Sequence, residues 1–469
     1  MKISRWVAAC ALLLVWPGLA FAADFDGSKL SPLWGVPFAG ILLSIALMPL
    51  LVPHFWHHHF GKVAAAWALA FLVPFAVVFG ASAAAVSFTH ALLAEYIPFV
   101  ILLTALFTVA GGIHIRGNLH GSPGLNTSIL AIGAFLASFM GTTGASMLMI
   151  RPLIRANDNR RHVAHVVIFF IFVVSNAAGS LTPLGDPPLF LGFLKGVEFF
   201  WTLRHLLPET AALVVVLLVI FYAIDSHQFR KEGVLARDPT PDTERIGLDG
   251  AVNFLPLAAV VALVLLSGTW KPGISFDVLG TEVELQQIVR DGLLVVVTFV
   301  SLAITPRGVR TRNQFTWAPM QEVAKLFIGI FVTMGPVLLM LRAGDAGPFG
   351  AVARAVTSAD GQPLPWAYFW LSGALSSFLD NAPTYLVFFN LASGDATVLM
   401  TTLAPVLAAI SAGSVFMGAN SYIGNAPNFM VKAIAEERGI AMPSFFGYMA
   451  WAGVILVPLF VVLTFVFFR

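Results

Sequence analysis

The chain has 469 residues, 58% of them hydrophobic and only 11% charged, with a mean hydropathy of +0.87. Soluble domains are about a quarter charged, so this composition excludes a soluble enzyme and a disordered chain. The formal net charge of +2, from 26 basic and 24 acidic residues, leaves no basic field for nucleic acid. The composition is that of an all-α polytopic membrane protein.

Met1-Lys2-Ile3-Ser4-Arg5 forms a basic start, residues 6–19 an apolar run, and Ala20-Phe21-Ala22 an A-x-A cleavage site. Residues 1–22 read as a signal peptide, with an uncleaved first helix as the alternative. The single cysteine, Cys10, lies inside this segment, so cleavage would remove all thiol chemistry.

A membrane span needs about 20 apolar residues. Spans are expected near 34–53, 63–82, 97–115, 164–195, 208–225, 251–269, 291–305, 320–341, 395–431 and 445–468, about ten in all. The stretches 164–195 and 395–431 are too long for one uninterrupted helix and read as broken helices. Two further apolar stretches, 126–150 and 366–392, are interrupted by Gly141-Thr142-Thr143-Gly144 and Asp380-Asn381-Ala382-Pro383. These read as re-entrant hairpins, because irregular backbone at membrane depth must be buried in protein.

Loop charge supports this layout. Loops 54–62, 114–124, 151–163, 226–250, 306–316 and 432–443 hold 15 Lys and Arg, against eight on the other side. The positive-inside rule places the richer side in the cytoplasm of a bacterial inner membrane. The polar loop 226–250 then divides the chain into halves with the same order of helix, helix, hairpin and broken helix. The expected organisation is a periplasmic segment and first helix (23–62), a first inverted-topology repeat (63–225), a linker with a connecting helix (226–287) and a second repeat (288–469). Secondary carriers are built this way, with the site at the midplane between the halves.

The first broken helix contains Ser175, Asn176, Thr182 and Asp186 among three prolines and two glycines within 14 residues. Such backbone is viable in lipid only where it lines a cavity or coordinates something. A charge at the bilayer centre costs about 2.5–3.5 kcal/mol on insertion scales, so Asp186 needs a proton, a cation or donors. The second broken helix offers Asn420, Asn425 and Asn428 within nine residues. In the hairpins, Ser377, Asp380, Asn381 and Thr384 face a first turn with only hydroxyls and backbone: Ser138, Thr142 and Thr143. Asp380 is the preferred titrating acid. A Na⁺ site is expected from Asp186, Asp380, Asn381 and Asn425.

Ser175-Asn176 through Gly185-Asp186-Pro187-Pro188 resembles the SN…GDPP motif of the ion-transporter superfamily. That group includes NhaD-type sodium/proton antiporters, citrate transporters and the arsenite-pump membrane subunit. Ser377-Phe378-Leu379-Asp380-Asn381-Ala382-Pro383 resembles its S-x-x-DN-x-P hairpin, and Ile423-Gly424-Asn425-Ala426-Pro427-Asn428 its IG-x-x-AN segment. The resemblance spans about 130 to 445 and implies an inverted-repeat elevator-type carrier, commonly a homodimer. Relatives often carry Asp-Asn in the first hairpin as well, where this chain has Gly141-Thr142.

The leading functional reading is Na⁺/H⁺ antiport, both ions competing for one oxygen cluster. The alternative is H⁺- or Na⁺-coupled transport of citrate or another organic anion, with arsenite or another oxyanion third. No cofactor is expected beyond transported or coupling Na⁺ and H⁺, and lipid is the expected surrounding partner. An enzyme is disfavoured: His-Glu zinc spacing and a nucleotide-binding loop are absent from the sequence. His54, His57, His58 and His59 read as a solvated interfacial cluster rather than a metal site, and Glu322 with Lys325 as an i,i+3 pair.

Overall fold

The computed structural model describes residues 26–234, 238–240 and 245–469. The expected signal segment and parts of the 226–250 loop lie outside the described residues. Among the described residues nine helices are long and apolar enough to cross a membrane: Pro32–Leu51, Pro53–Phe79, Ala81–Ala110, Pro123–Ala156, Trp201–Glu232, Ala251–Thr269, Leu285–Ile304, Ala318–Arg342 and Phe445–Phe467. Large apolar side chains such as Val77, Val454 and Val466 stay exposed on their outer faces. A soluble surface would not tolerate that area of hydrocarbon; lipid does. The protein is a polytopic helical membrane protein.

Pro123–Ala156 does not cross. A straight helix would place Asn126 and Asn157 about 46 Å apart at 1.5 Å per residue. Their side-chain amides instead bond each other reciprocally, at 2.9 and 2.8 Å. The reversal lies at Gly141, whose φ of 79° belongs to the left-handed region that glycine enters without a Cβ clash. The second hairpin reverses between Pro365–Ser376 and Asn381–Ala392. There the rings of Tyr368 and Phe388, twenty residues apart, lie 6.4 Å from each other.

Both broken helices are interrupted as their composition requires. The first runs Ala164–Val173, a 3-10 turn at Ala177–Ser180, then Pro187–Leu194. The second runs Ala404–Phe416, a 3-10 turn at Met417–Asn420, then Ala426–Glu437. The start of the first broken helix sits beside the open end of the first hairpin, where Asn126 and His165 both bond Asp225. Its far end sits beside the loop leaving the second hairpin, where Trp201 Nε1 donates to the Met400 carbonyl at 3.1 Å. The two hairpins therefore enter from opposite faces. The first packs on Ile97–Ala110 and the second on Ala318–Arg342.

Several expected bounds move. The span at 63–82 begins at Pro53, so the expected loop 54–62 is helical, and the span at 97–115 begins at Ala81 through a π-turn at Ala91–Tyr96. Likewise 208–225 becomes Trp201–Glu232 and 291–305 becomes Leu285–Ile304. Hydropathy marks only the immersed stretch, whereas a helix continues wherever its own hydrogen bonds and its packing sustain it.

The 226–250 loop is also not a free linker. Its first residues complete the preceding helix, Asn118 donates to Asp238 at 2.8 Å, and Thr240 donates to Asp158 at 2.5 Å. Gly247–Asp249 pairs antiparallel with His114–Arg116, and Ser275–Val278 with Thr281–Glu284. Among the described residues these two ribbons are the only sheets. Lys325 lies over the Phe60 ring at 5.4 Å, and no ion pair joins it to Glu322 among the described residues. His54, His57 and His58 are exposed and His59 is half-buried along Pro53–Phe79. Among the described residues no group of three or more His, Cys, Asp or Glu is arranged for a metal.

Candidate functional site

The two hairpins and two broken helices meet at one buried carboxylate, Asp186. Thr142 Oγ1 donates to its Oδ1 at 2.7 Å from the first hairpin. Asn381 Nδ2 donates to its Oδ2 from the second hairpin. Asn425 Nδ2 donates to Oδ1 at 3.1 Å from the second broken helix. Asp186 itself belongs to the first broken helix, so all four interrupted elements converge on one side chain. Three donors satisfy a charge that hydrocarbon could not solvate.

The surrounding bonds repeat at a constant spacing of 239 residues. Ser138 Oγ donates to the Ala178 carbonyl at 3.1 Å, and Ser377 Oγ to the Met417 carbonyl at 3.1 Å. Thr182 donates to the Ser138 carbonyl, and Ser421 to the Ser377 carbonyl. The Leu184 amide donates to Thr182 and the Ile423 amide to Ser421, both at 3.2 Å. In each half a hairpin hydroxyl and a broken-helix hydroxyl thus lock the two elements together. The same register relates Thr142 to Asn381 and Asp186 to Asn425.

Close backbone approach demands glycine at two related positions. A Cβ on Gly185 would meet the Gly179 carbonyl oxygen at 2.3 Å, and one on Gly424 the Gly418 carbonyl oxygen at 2.5 Å.

The remaining predicted residues fall into three groups. Ser175 and Asn176 join the network: the Ser175 carbonyl accepts from Asn425 at 3.1 Å, and Asn176 donates to Asn428 Oδ1 at 2.7 Å. Asp380 caps the second arm of its hairpin, accepting from the Ala382 amide at 3.0 Å, and Thr384 donates back to its carbonyl. Asp380 makes no hydrogen bond to Asp186, although the two carboxylates are close enough for their charges to interact. Asn420 donates to Ser377 Oγ at 2.9 Å, whereas Thr143 is half-buried and makes no bond to the hub.

Four helix starts surround these acids. Asp186, Asp380 and Asn425 are the N-caps of Pro187–Leu194, Asn381–Ala392 and Ala426–Glu437, and Thr142 opens the second arm of the first hairpin. Each N-terminus carries roughly half a positive charge, so four of them offset two carboxylates without any Lys or Arg. Two amide oxygens, Asn381 Oδ1 and Asn420 Oδ1, are buried there with no hydrogen-bond partner among the described residues. Unmet acceptors of this kind are hard-cation ligands.

Sequence reasoning offered Asn428 as one of three asparagines in the second break but did not include it, or Ser146, among the chosen site residues. Asn428 donates to the Gly418 and Ser421 carbonyls at 2.9 Å, and Ser146 Oγ pairs with Ser175 Oγ at 2.9 Å. Both stand in the interrupted segments, which is the signal that could have found them. The buried pair Glu95–Lys195 was also missed. Glu95 lies in an apolar helix and Lys195 a full helix beyond the motif, so only the fold joins them.

No curated protein matches the sequence. The chain belongs to the family described as "Putative citrate transport", which matches residues 27–468.

Proposed function

We propose that this secondary transporter couples cargo movement to Na⁺ and H⁺ competing for the oxygen cluster around Asp186 and Asp380. The observation that carries this reading is the convergence of both hairpins and both broken helices on Asp186. A proton or a Na⁺ at that carboxylate changes what all four elements hold, so occupancy and conformation are linked. The unpartnered oxygens of Asn381 and Asn420 supply further ligands for the metal ion. With no other cargo, this competition is Na⁺/H⁺ antiport.

The second reading makes a citrate-type carboxylate the cargo, coupled to the same cation. Two carboxylates against four helix N-termini leave the site near neutral, and one bound Na⁺ turns it positive. An organic carboxylate can then bind where the sequence supplies no basic side chain. Membership of the family in which the chain falls favours this cargo.

Proteoliposomes holding a pH-sensitive dye separate the two. Under the first reading a Na⁺ or Li⁺ gradient alone moves protons, and Asp186→Asn abolishes the response. Under the second, labelled citrate accumulates only with an inward cation gradient, and cations alone move no protons. Neither response in the wild-type chain would defeat both.

A further inference from the structure

A cavity of about 760 Å³ opens on the basic face of the protein. Six arginines from separate segments line it: Arg151 and Arg155 from the first hairpin, Arg160 and Arg161 from the loop that follows, Arg312, and Arg438 at the end of the second broken helix. Among the described residues the facing acids are fewer than the arginines. Asp225 pairs with Arg160 at 2.6 Å and Asp249 with Arg312 at 2.9 Å, Glu232 accepts from the Arg161 and His162 backbone amides at 3.1 and 2.8 Å, and Asp158 is the one acid among the described lining residues. Glu437 lies near enough to Arg151 for their charges to interact. The remainder is a concave, cationic surface of a size that holds a small molecule.

The donors are also incompletely used. Arg151 Nε donates weakly to Gln314 at 3.3 Å while its Nη1 is buried with no partner among the described residues, and so is Arg160 Nε. A buried donor without an acceptor is costly and rare. Helix-end dipoles and the positive-inside bias account for Arg155 in a last turn and Arg438 at a C-cap. They do not account for an unmet guanidinium nitrogen on Arg151, one turn deeper. Three helices run from this cavity to the midplane hub: the second arm of the first hairpin, Ala426–Glu437 and Ala164–Val173.

We propose that this cavity is a cytoplasmic binding site for a small soluble anion bearing two or more carboxylate or phosphate groups, with Arg151, Arg161 and Arg438 as its principal ligands. A guanidinium fork can bond two oxygens at once of either a carboxylate or a phosphate. The site stands apart from Asp186 and does not depend on which cargo crosses the midplane.

Calorimetric titration tests it on the full chain in zwitterionic lipid nanodiscs, with citrate, pyrophosphate and acetate as probes. Citrate and pyrophosphate should bind, more weakly at high KCl because salt screens charge, and acetate should not. Arg151→Gln should weaken binding about tenfold or more through the lost charge-assisted bonds. Arg438→Gln, at an exposed helix end where folding is not at risk, should weaken it in the same direction. Asp186→Asn should leave it intact, whatever it does to transport. Absence of binding, or binding that survives both arginine variants, overturns the proposal. So does binding lost in Asp186→Asn but not in the arginine variants, which would put the anion at the midplane. A parallel titration in phosphatidylglycerol nanodiscs identifies the other source of phosphate. Citrate binding erased there would make a lipid headgroup the occupant and overturn the soluble ligand.

Discussion

Asn425 donates a 3.1 Å hydrogen bond to Asp186, and the two residues occupy the same position in the two halves of the repeat. One half keeps an acid there and the other its isosteric amide. The pair is therefore complementary across the pseudo-symmetry, and it holds one negative charge instead of two. Asn425→Asp would put a second carboxylate at that distance, where both cannot stay ionised without an added cation. Flux in proteoliposomes should become more steeply dependent on Na⁺ or H⁺ concentration. An unchanged ion dependence would mean that residue 425 does not face the coupling ion.

Asp186→Asn should reduce cation-driven flux to that of protein-free vesicles. Its new amide would face three donors, from Thr142, Asn381 and Asn425, so one of them loses its acceptor. The expected stability cost is about 1–3 kcal/mol, measurable as a lowered thermal midpoint of the purified protein. Flux near wild type would remove Asp186 from the mechanism.

Gly185→Ala and Gly424→Ala should behave alike, because each Cβ would strike a backbone oxygen at 2.3 or 2.5 Å. Backbone cannot rotate away as a side chain can. Each should cost at least about 1–3 kcal/mol, the range for overpacked cores, and lower both folded yield and flux. A substitution tolerated at one position but not the other would argue against equivalent breaks in the two halves.

Lys195 pairs with Glu95, joining the far end of the first broken helix to the π-turn of Ala81–Ala110. Glu95→Gln leaves a largely buried ammonium without its partner. Breaking a buried pair costs about 3–5 kcal/mol, and the partial exposure of Lys195 places this one at the lower end. The double variant Glu95→Gln/Lys195→Met should be more stable than Glu95→Gln alone. Thermal melts of the three proteins read that coupling directly.

Asp225 binds Arg160 at 2.6 Å, His165 at 2.9 Å and Asn126 at 2.8 Å, with both charged side chains fully buried. This cluster ties the open end of the first hairpin to Trp201–Glu232 and to the start of the first broken helix. Asp225→Asn strands the Arg160 charge and should cost about 3–5 kcal/mol. Protease resistance of the hairpin should fall before the whole protein unfolds. A melt within error of wild type would make the cluster dispensable.

The sequence by itself determined the solvent and the punctuation. Hydropathy and scarce charge demand lipid, and Gly, Pro and Asn inside apolar runs forced both hairpins and both breaks, since an uninterrupted helix could not accommodate them. These are local properties, carried by consecutive residues. Helix bounds were less legible: Ala81–Ala110 and Trp201–Glu232 outrun their apolar windows because packing sustains turns that hydropathy does not mark. Only the tertiary structure decided that Asp186 is the hub and Asp380 a helix cap, because that depends on which amides 195 and 239 residues away point at which carboxylate. Glu95 with Lys195, and the arginines that share one cavity, are likewise brought together by folding alone. A charge in an apolar segment announces that it needs a partner; which partner it meets is set by how the helices pack.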